Sequence, residues 1–422
     1  MDPARLVAAR LAVSDDTIVL RGTGVAADER HVGPVLVIGA GKAAGPMARA
    51  ARDVLGPQTP GDVVAPEALD GLGPLRAHVG GHPLPTSGSV AATAAILDRV
   101  AGSSPDTLIL FLLSGGASAL LASPAPGIAL EEKRAVTARL LECGAAIAEI
   151  NAVRKHLSRV KGGLLARHAA GRPIWTLALS DVVGDDLATI GSGPTAPDPT
   201  TFGDALAVLA RYDLAAAAPH AVVAHLRAGA AGRHAETPKP GDPCFARVRN
   251  EIIGTNRLAL DAAAVRAREL GLDTAVHDAP LLGDTTRAAE SFAADLLHRR
   301  REIRRPTCVL AGGETTVVVR GRGRGGRNQE FALAAALALR DVDGVELLSA
   351  GTDGIDGRTD AAGAFAGGVT VAAARARGMD ASAFLAANDS FAFFTALGDL
   401  FCPGPTGTNV MDVKIAVIEP AV

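Results

Sequence analysis

Val35-Leu36-Val37-Ile38-Gly39-Ala40-Gly41-Lys42 runs directly into AAGPMARAARDVL, which ends at Leu55. Four consecutive apolar residues read as a buried strand, the two glycines as a turn, and the alanine-rich tail as a helix. The same order returns in TLILFLLSGG ahead of LEEKRAVTARLLECGAAIAEI, and in IWTLALSD ahead of FGDALAVLARYDL. Repeated strand, turn and helix predict an α/β fold, a mainly parallel sheet with helices on both faces. From Ala228 to Asp242 the chain reads AGAAGRHAETPKPGD, rich in Gly, Pro and polar residues and without apolar period. That stretch predicts a boundary between domains 1–238 and 239–422. Beyond it, RVRNEIIGTN, a long alanine-rich helix, TAVHDAP, a helix near Arg287 to Arg304, TCVLAGGETTVVVRG, a helix from about Asn328 and VELLSAGTDG predict a second α/β unit, again with a mainly parallel sheet. No repeat of fixed period is present, which excludes a solenoid.

The 422 residues include 48% apolar and 21% charged side chains, proportions of a folded globular protein. Forty-two basic against 45 acidic residues leave a net charge of −3, and aromatics are only 3%. Those values exclude the basic and stacking signatures of nucleic-acid binding and leave small molecules as the expected partners. Only six of the 42 basic residues are lysine, so each lysine carries information, Lys42 first. MDPARLVAARLAVSD reads as an amphipathic helix without the features of a signal peptide, and Leu108 to Leu113 is too short to span a membrane. Cys143, Cys244, Cys308 and Cys402 show no CxxC spacing and are expected to be reduced and structurally buried, in a soluble cytoplasmic protein. The oligomeric state is open, a homo-oligomer included.

In open α/β sheets ligands collect where strands end and helices begin. Gly39, Gly41 and Lys42 lie at such a point. A glycine turn lets backbone approach a phosphate, and Lys42 adds a mobile positive charge. This is not a Walker loop, since Leu36 and Ala43 stand where its first glycine and its Ser or Thr belong. The loose dinucleotide pattern GxGxxG/A is met through Gly39, Gly41 and Ala44, but the acidic residue about 20 positions on would be Asp62, which precedes Val63-Val64 instead of ending that strand. A plain tight turn is the rival reading. Ser114-Gly115-Gly116-Ala117-Ser118 forms either an anion nest for a phosphate or small carboxylate, or a serine-capped helix. Arg154, Lys155, Arg159 and Lys161 read mostly as a solvated face. After Ile174 to Leu179, Asp181 is placed to hold Mg²⁺ or accept a hydroxyl proton, Asp185 and Asp186 to cap a helix, and Gly191-Ser192-Gly193-Pro194-Thr195 to donate N–H and O–H groups.

In the second half, Gly312-Gly313-Glu314 precedes Gly325-Gly326-Arg327-Asn328, where an arginine beside glycine-rich backbone can clamp phosphoryl oxygens. Arg320, Arg322 and Arg324 read as the solvent face of a hairpin. Asp353, in Gly351-Thr352-Asp353-Gly354, suits a metal ligand or base after a buried strand, and Gly404-Pro405-Thr406-Gly407-Thr408-Asn409 either repeats the glycine and hydroxyl theme or merely reverses the chain. HExxH is missing, His78 and His82 fall in a Gly/Pro loop, and no GxSxG elbow is present. Anion cradles and carboxylates without an activated nucleophile favour phosphoryl over acyl transfer.

In order, GAGKAAG, GGHPLP, LSGGASALL, INAVRKHLSRVKGG, LSDVVGDDLATIGSGPT, GGETTV, GGRNQE, GTDGIDG and GPTGTNVMD resemble the glycerate 2-kinase family, whose C-terminal part is a MOFRL-type domain. The resemblance spans nearly the whole chain. It implies ATP- and Mg²⁺-dependent phosphorylation of D-glycerate to 2-phosphoglycerate by a two-domain α/β enzyme with its site in the interdomain cleft. It further implies that Lys42, Arg327 and Asp353 match the family's lysine, arginine and aspartate, with Asp181 or Asp353 near the metal. Members also carry the label hydroxypyruvate reductase, so an NAD(P)H-dependent reductase and a non-catalytic nucleotide or sugar-acid binding protein stand as alternatives. Where many relatives follow GHPLP with an acidic residue this chain has Thr86, which sets the His82 loop apart.

Overall fold

The structure is a computed structural model that describes residues 2–22 and 27–421. The described chain divides into two compact units between Ile253 and Gly254. That division falls later than the expected 238/239, because Val248–Gly254 completes the sheet of the first unit instead of opening the second.

The N-terminal helix stops at Arg10, short of the expected length, and Leu11–Ser14 (β1) is a strand. It pairs antiparallel with Thr17–Leu20 (β2), which pairs with Glu29–Val32 (β3). Asp15 and Asp16 both take positive φ, 48° and 60°, the two-residue geometry that matches strand twist in a tight hairpin. This local turn overrides the helical period of the flanking residues.

The main sheet of the first unit contains Val35–Ala40 (β4), Gly61–Ala65 (β5), Leu75–Val79 (β6), Leu108–Leu113 (β7), Ile174–Leu179 (β8) and Val248–Gly254 (β9), in the order β6-β5-β4-β7-β8-β9. The β4, β5, β6, β7 and β8 pairings are parallel. All six residues of β7 are buried, as a strand covered on both faces requires. Leu108, Leu110 and Leu112 pack with the helix Ala44–Leu55, while Ile109, Phe111 and Leu113 pack with the helix Ser87–Gly102 on the other face. His78 lies in β6, not in a loop, and pairs with buried Asp62 at 2.8 Å; Arg99 is the second ion-pair partner of Asp62. A separate cluster joins the helices Leu130–Glu142, Ile147–His156, Phe202–Arg211 and His220–Ala230.

The second unit holds Asp273–Val276 (β10), Leu281–Asp284 (β11), Thr307–Thr316 (β12), Val345–Gly351 (β13), Gly363–Gly367 (β14), Leu400–Phe401 (β15) and Asp412–Ile418 (β16). Its sheet is mixed rather than mainly parallel. β10 and β11 run parallel to β12, but β16 returns antiparallel between β12 and β13, and β13, β14 and β15 follow antiparallel. Strand direction is decided by pairing, both of the returning last strand and of β13, β14 and β15 among themselves, which apolar period does not report. Residues 317–326 form no hairpin, although Arg320, Arg322 and Arg324 are exposed as expected. Among the cysteines only Cys308 is buried; Cys143 and Cys402 are exposed and Cys244 is half-buried, all with free thiols. Among the described residues no helix is long and apolar enough to cross a membrane.

Leu110 is 1% exposed at the centre of the parallel sheet. Replacing it by Ala is expected to cost about 2–5 kcal/mol of unfolding free energy through lost burial and the cavity left behind. Urea unfolding measures this, and a loss below about 1 kcal/mol would contradict the two-faced packing.

Candidate active site

Strand order reverses between β4 and β7, so the loops leaving these neighbours diverge at the carboxyl edge of the sheet. Four hydrogen bonds stitch the two loop starts to each other or to β5. Gly41 N donates to Val64 O at 3.2 Å, Lys42 N to Gly115 O at 2.9 Å, Ala43 N to Ser114 Oγ at 3.1 Å, and Ser114 N to Ala40 O at 3.0 Å. Gly41 has φ of +134°, and a methyl there would overlap Ser114 Oγ and lie 2.6 Å from the Ser114 carbonyl oxygen. The turn is therefore tight because Ser114 occupies the space above it. Lys42 is half-buried at the end of this closed turn. His82, set aside by the sequence reading, belongs here. A methyl placed on Gly116 would lie 3.0 Å from the His82 ring and 3.6 Å from Lys42 Cγ.

The β7 loop is tied in turn to the long connection after β8. Ser118 Oγ and Ser192 Oγ are 2.8 Å apart, and Ser192 Oγ donates to Asn151 Oδ1 at 3.2 Å. Gly191, Ser192 and Gly193 all take positive φ in this turn. Thr195 is buried with its hydroxyl bonded to Thr176 and Asn250, so it supports the turn from beneath. Asp186 caps the preceding turn, accepting from Ala188 N and Thr189 Oγ1; Asp181 lies just past β8 and is half-buried.

The solvated face expected between residues 151 and 163 exists only at Arg159. Lys155 and Lys161 are 5% and 1% exposed, and Arg154 is half-buried. Lys155 pairs with buried Asp198 at 3.3 Å. Lys161 Nζ instead donates to two backbone carbonyls, Ser118 O at 2.8 Å and Gly191 O at 3.5 Å, and Arg154 Nη2 donates to the same Ser118 O at 3.3 Å. Burial, together with the neighbouring Arg154 and Lys133 charges, holds Lys161 well below the usual lysine range. Burial and Arg154 push Lys133 down to about 7. Helical spacing alone could not separate these cations from surface ones, because their burial is set by the distant loops they bond to.

In the second unit, the guanidinium of Arg327 is clamped by Asp412 at 2.7 and 2.9 Å through two parallel hydrogen bonds, with Glu314 at 2.8 Å on another nitrogen. Burial alone would lower its pKa, but the Asp412 bonds and the charges of Asp412, Glu314 and Asp356 outweigh it and raise it. Asp412, which the sequence reading did not single out, is completely buried; burial works against its ionisation, yet Lys414 and Arg327 hold it below the ordinary carboxylate range. Asn328 is buried and its oxygen accepts from Ser349 Oγ and Lys414 Nζ, so it props the arginine's helix rather than facing solvent. Asp356 caps that helix, accepting from Asn328 N at 3.0 Å and Gln329 N at 2.9 Å. Asp353 Oδ1 accepts from Ile355 N, and its carbonyl accepts from Thr406 N, joining the GTDG and GPTGTN turns. Thr406 Oγ1 closes the same turn on Thr352 O, and Asn409 Oδ1 accepts from Met411 N. Thr408 Oγ1 is buried with no partner among the described residues.

Among the described residues no three His, Cys, Asp or Glu side chains cluster as a protein-built metal cage. Mg²⁺ needs none, since it takes one or two carboxylates with phosphate oxygens and water. Asp181 and Asp353 are hard oxygen donors of that kind.

Residues 1–227 match a domain of unknown function (DUF4147), and residues 307–412 match the MOFRL family. The chain is 38% identical over 421 residues to a glycerate 2-kinase from Pyrococcus horikoshii, covering 99% of this chain and 94% of the relative. It is 39% identical to a D-glycerate 2-kinase from Thermotoga maritima, covering 91% and 90% respectively. A solved glycerate kinase from Thermotoga maritima superposes with a TM-score of 0.81 at 39% identity, with 92% of each chain covered.

Gly41→Ala is expected to lose about 2 kcal/mol or more of stability, from the left-handed backbone and the clash with Ser114 together. Thermal or urea unfolding within about 0.5 kcal/mol of the parent would contradict the closed turn. Lys133 keeps its proton to about 7 in the folded chain and to 10.5 when unfolded. The unfolded state then binds more protons across that window, so stability rises with pH there, by up to about 1.4 kcal/mol per unit. Lys133→Met should remove this rise, and parallel pH profiles of unfolding for the two proteins would refute it.

Proposed function

This chain belongs to the glycerate 2-kinase family, and on that premise we propose that it transfers the γ-phosphoryl group of ATP to the 2-hydroxyl of D-glycerate, releasing ADP and 2-phospho-D-glycerate. The observation that carries this reading is the closed turn at Lys42. The amides of Gly41, Lys42 and Ala43 are spent on β5 and the β7 loop, so the turn offers a charged side chain instead of a backbone cradle. A nicotinamide dinucleotide would need those amides for its pyrophosphate. It would also need an acid for its ribose, and Asp62 is buried against His78 and Arg99. The reductase alternative lacks both parts.

Transfer through a loose transition state asks the protein mainly for position and for positive charge around the migrating group. Lys42 supplies an ammonium, and Arg327 a guanidinium fixed in orientation by Asp412. Asp353 accepts the proton of the 2-hydroxyl as its oxygen attacks phosphorus and the bond to the ADP oxygen breaks. Asp181 or Asp353 would hold Mg²⁺, which when bound neutralises phosphate charge. In the first unit the Ser114 to Ser118 and Gly191 to Gly193 turns are the candidate anion contacts, and in the second unit Thr406, Thr408 and Asn409 are the candidate polar contacts. The same reading places the enzyme in the cytoplasm, acting on a small molecule and not on nucleic acid or membrane.

Purified protein mixed with ATP, Mg²⁺ and D-glycerate is expected to form ADP, and to leave NADH untouched when given hydroxypyruvate. Lys42→Ala and Arg327→Ala should each lower kcat by roughly two to four powers of ten. NADH oxidation without ADP formation would overturn the kinase reading, and activity in neither assay would leave a binding protein.

A further inference from the structure

The first unit gathers three cations, buried Lys133 and Lys161 and half-buried Arg154, on backbone carbonyls. Lys161 and Arg154 both donate to Ser118 O, and Lys133 Nζ donates to Leu157 O at 2.9 Å. The charges felt by Lys133 and Lys161 are those of the other cations; among the described residues no carboxylate offsets them. Lys155, on the same helix as Arg154, has Asp198, so the missing anion is specific to this cluster. Burial lowers the pKa of the two lysines, so Arg154 is the charge that persists, and a cation left without a counter-ion in such a setting is a candidate functional group. Arg154 is the member left with unused donors. It is half-buried, and among the described residues it makes one hydrogen bond from five N–H donors.

We propose that Arg154, with the Ser118 hydroxyl beside it, binds the carboxylate of the hydroxy-acid substrate, and that buried Lys161 acts as a positioning residue by fixing the Ser118 carbonyl inward. This rests on the phosphotransfer reading and names the recognition group it left open. A guanidinium fork matches the two oxygens of a carboxylate, whereas Lys42 is a point charge suited to a moving phosphoryl group. Placement agrees with that division. The Ser118 loop leaves β7, the neighbour of the β4 strand that carries Lys42, and adjacent strands lie about 4.8 Å apart. In a 2-hydroxy acid the carboxyl carbon adjoins the carbon bearing the reacting oxygen, so the groups that meet them must come from neighbouring loops, as the Lys42 and Ser118 loops are. The hydroxyl of Ser118 is free to turn: Ser192 donates to Asn151, so in the present arrangement Ser118 donates to Ser192 and can swing its proton to an arriving oxygen.

The test measures D-glycerate binding by calorimetry in the presence of a non-hydrolysable ATP analogue, and KM for both substrates, in the parent, Arg154→Ala and Arg154→Lys. Arg154→Ala is expected to weaken D-glycerate binding and raise its KM by roughly 10- to 100-fold, the loss of a charge-assisted fork, with KM for ATP changed less than about threefold. Arg154→Lys should recover part of the loss. Equal D-glycerate affinity in the parent and Arg154→Ala, no D-glycerate binding by the parent, or a matching rise in KM for ATP would each overturn the assignment. A parent that binds D-glycerate through Arg154 but makes no ADP would support the carboxylate site and sink the phosphotransfer reading. If Arg154→Ala fails to fold by its thermal unfolding, Arg154→Lys and Ser118→Ala carry the same comparison.

Discussion

The contact of the Ser114 loop with Gly41 is the constraint on which the chemistry of the first unit depends. With no side chain at Gly41, β7 can deliver Ser114 directly over the β4 turn, and its hydroxyl and the Gly115 carbonyl consume the amides there. A fold whose strand order is that of dinucleotide-binding proteins is thereby diverted from dinucleotide binding. What remains at the carboxyl edge is a lysine side chain, and the histidine ring of the 82 loop beside Gly116.

Charge is handled differently in the two units. In the second, the two cations around the start of the Arg327 helix are answered by a carboxylate. Lys414 and Arg327 share Asp412, and Asp356 is kept in place by helix amides while burial raises its pKa. The Arg327 side chain is thus fixed in direction while a third of its surface stays exposed, the arrangement expected of a group that must meet an anion without moving. In the first unit, Arg154, Lys133 and Lys161 are left with carbonyls alone. Four of the six lysines, Lys133, Lys155, Lys161 and Lys414, are buried, which explains why a chain so poor in lysine keeps them at all.

Much of the architecture was legible from strand-length apolar runs followed by glycine, because a parallel strand buried on both faces leaves an unbroken run such as Leu108 to Leu113. The antiparallel return of β16 was not legible, since Asp412 to Ile418 alternates whichever neighbour it pairs with. Lys42 and Arg327 stood out because each follows a glycine at a strand end or helix start, and Asp353 because it lies between Gly351 and Gly354 just past a strand. Asp412 and Lys414 did not, because their partner Arg327 is distant in sequence and their burial is set by tertiary packing. Arg154 and Lys161 looked like surface cations for the same reason, although a chain with so few lysines carried a compositional signal in the closeness of Lys155 and Lys161.

The central claim is that this turn stays closed and acts through the Lys42 side chain. Its most direct measurement is a crystal structure of the protein with an ATP analogue, Mg²⁺ and D-glycerate. The account predicts Ser114 still seated over Gly41, with Lys42 Nζ within hydrogen-bond distance of a phosphoryl oxygen. A pyrophosphate resting on the Gly41, Lys42 and Ala43 amides, with Ser114 displaced, would contradict it.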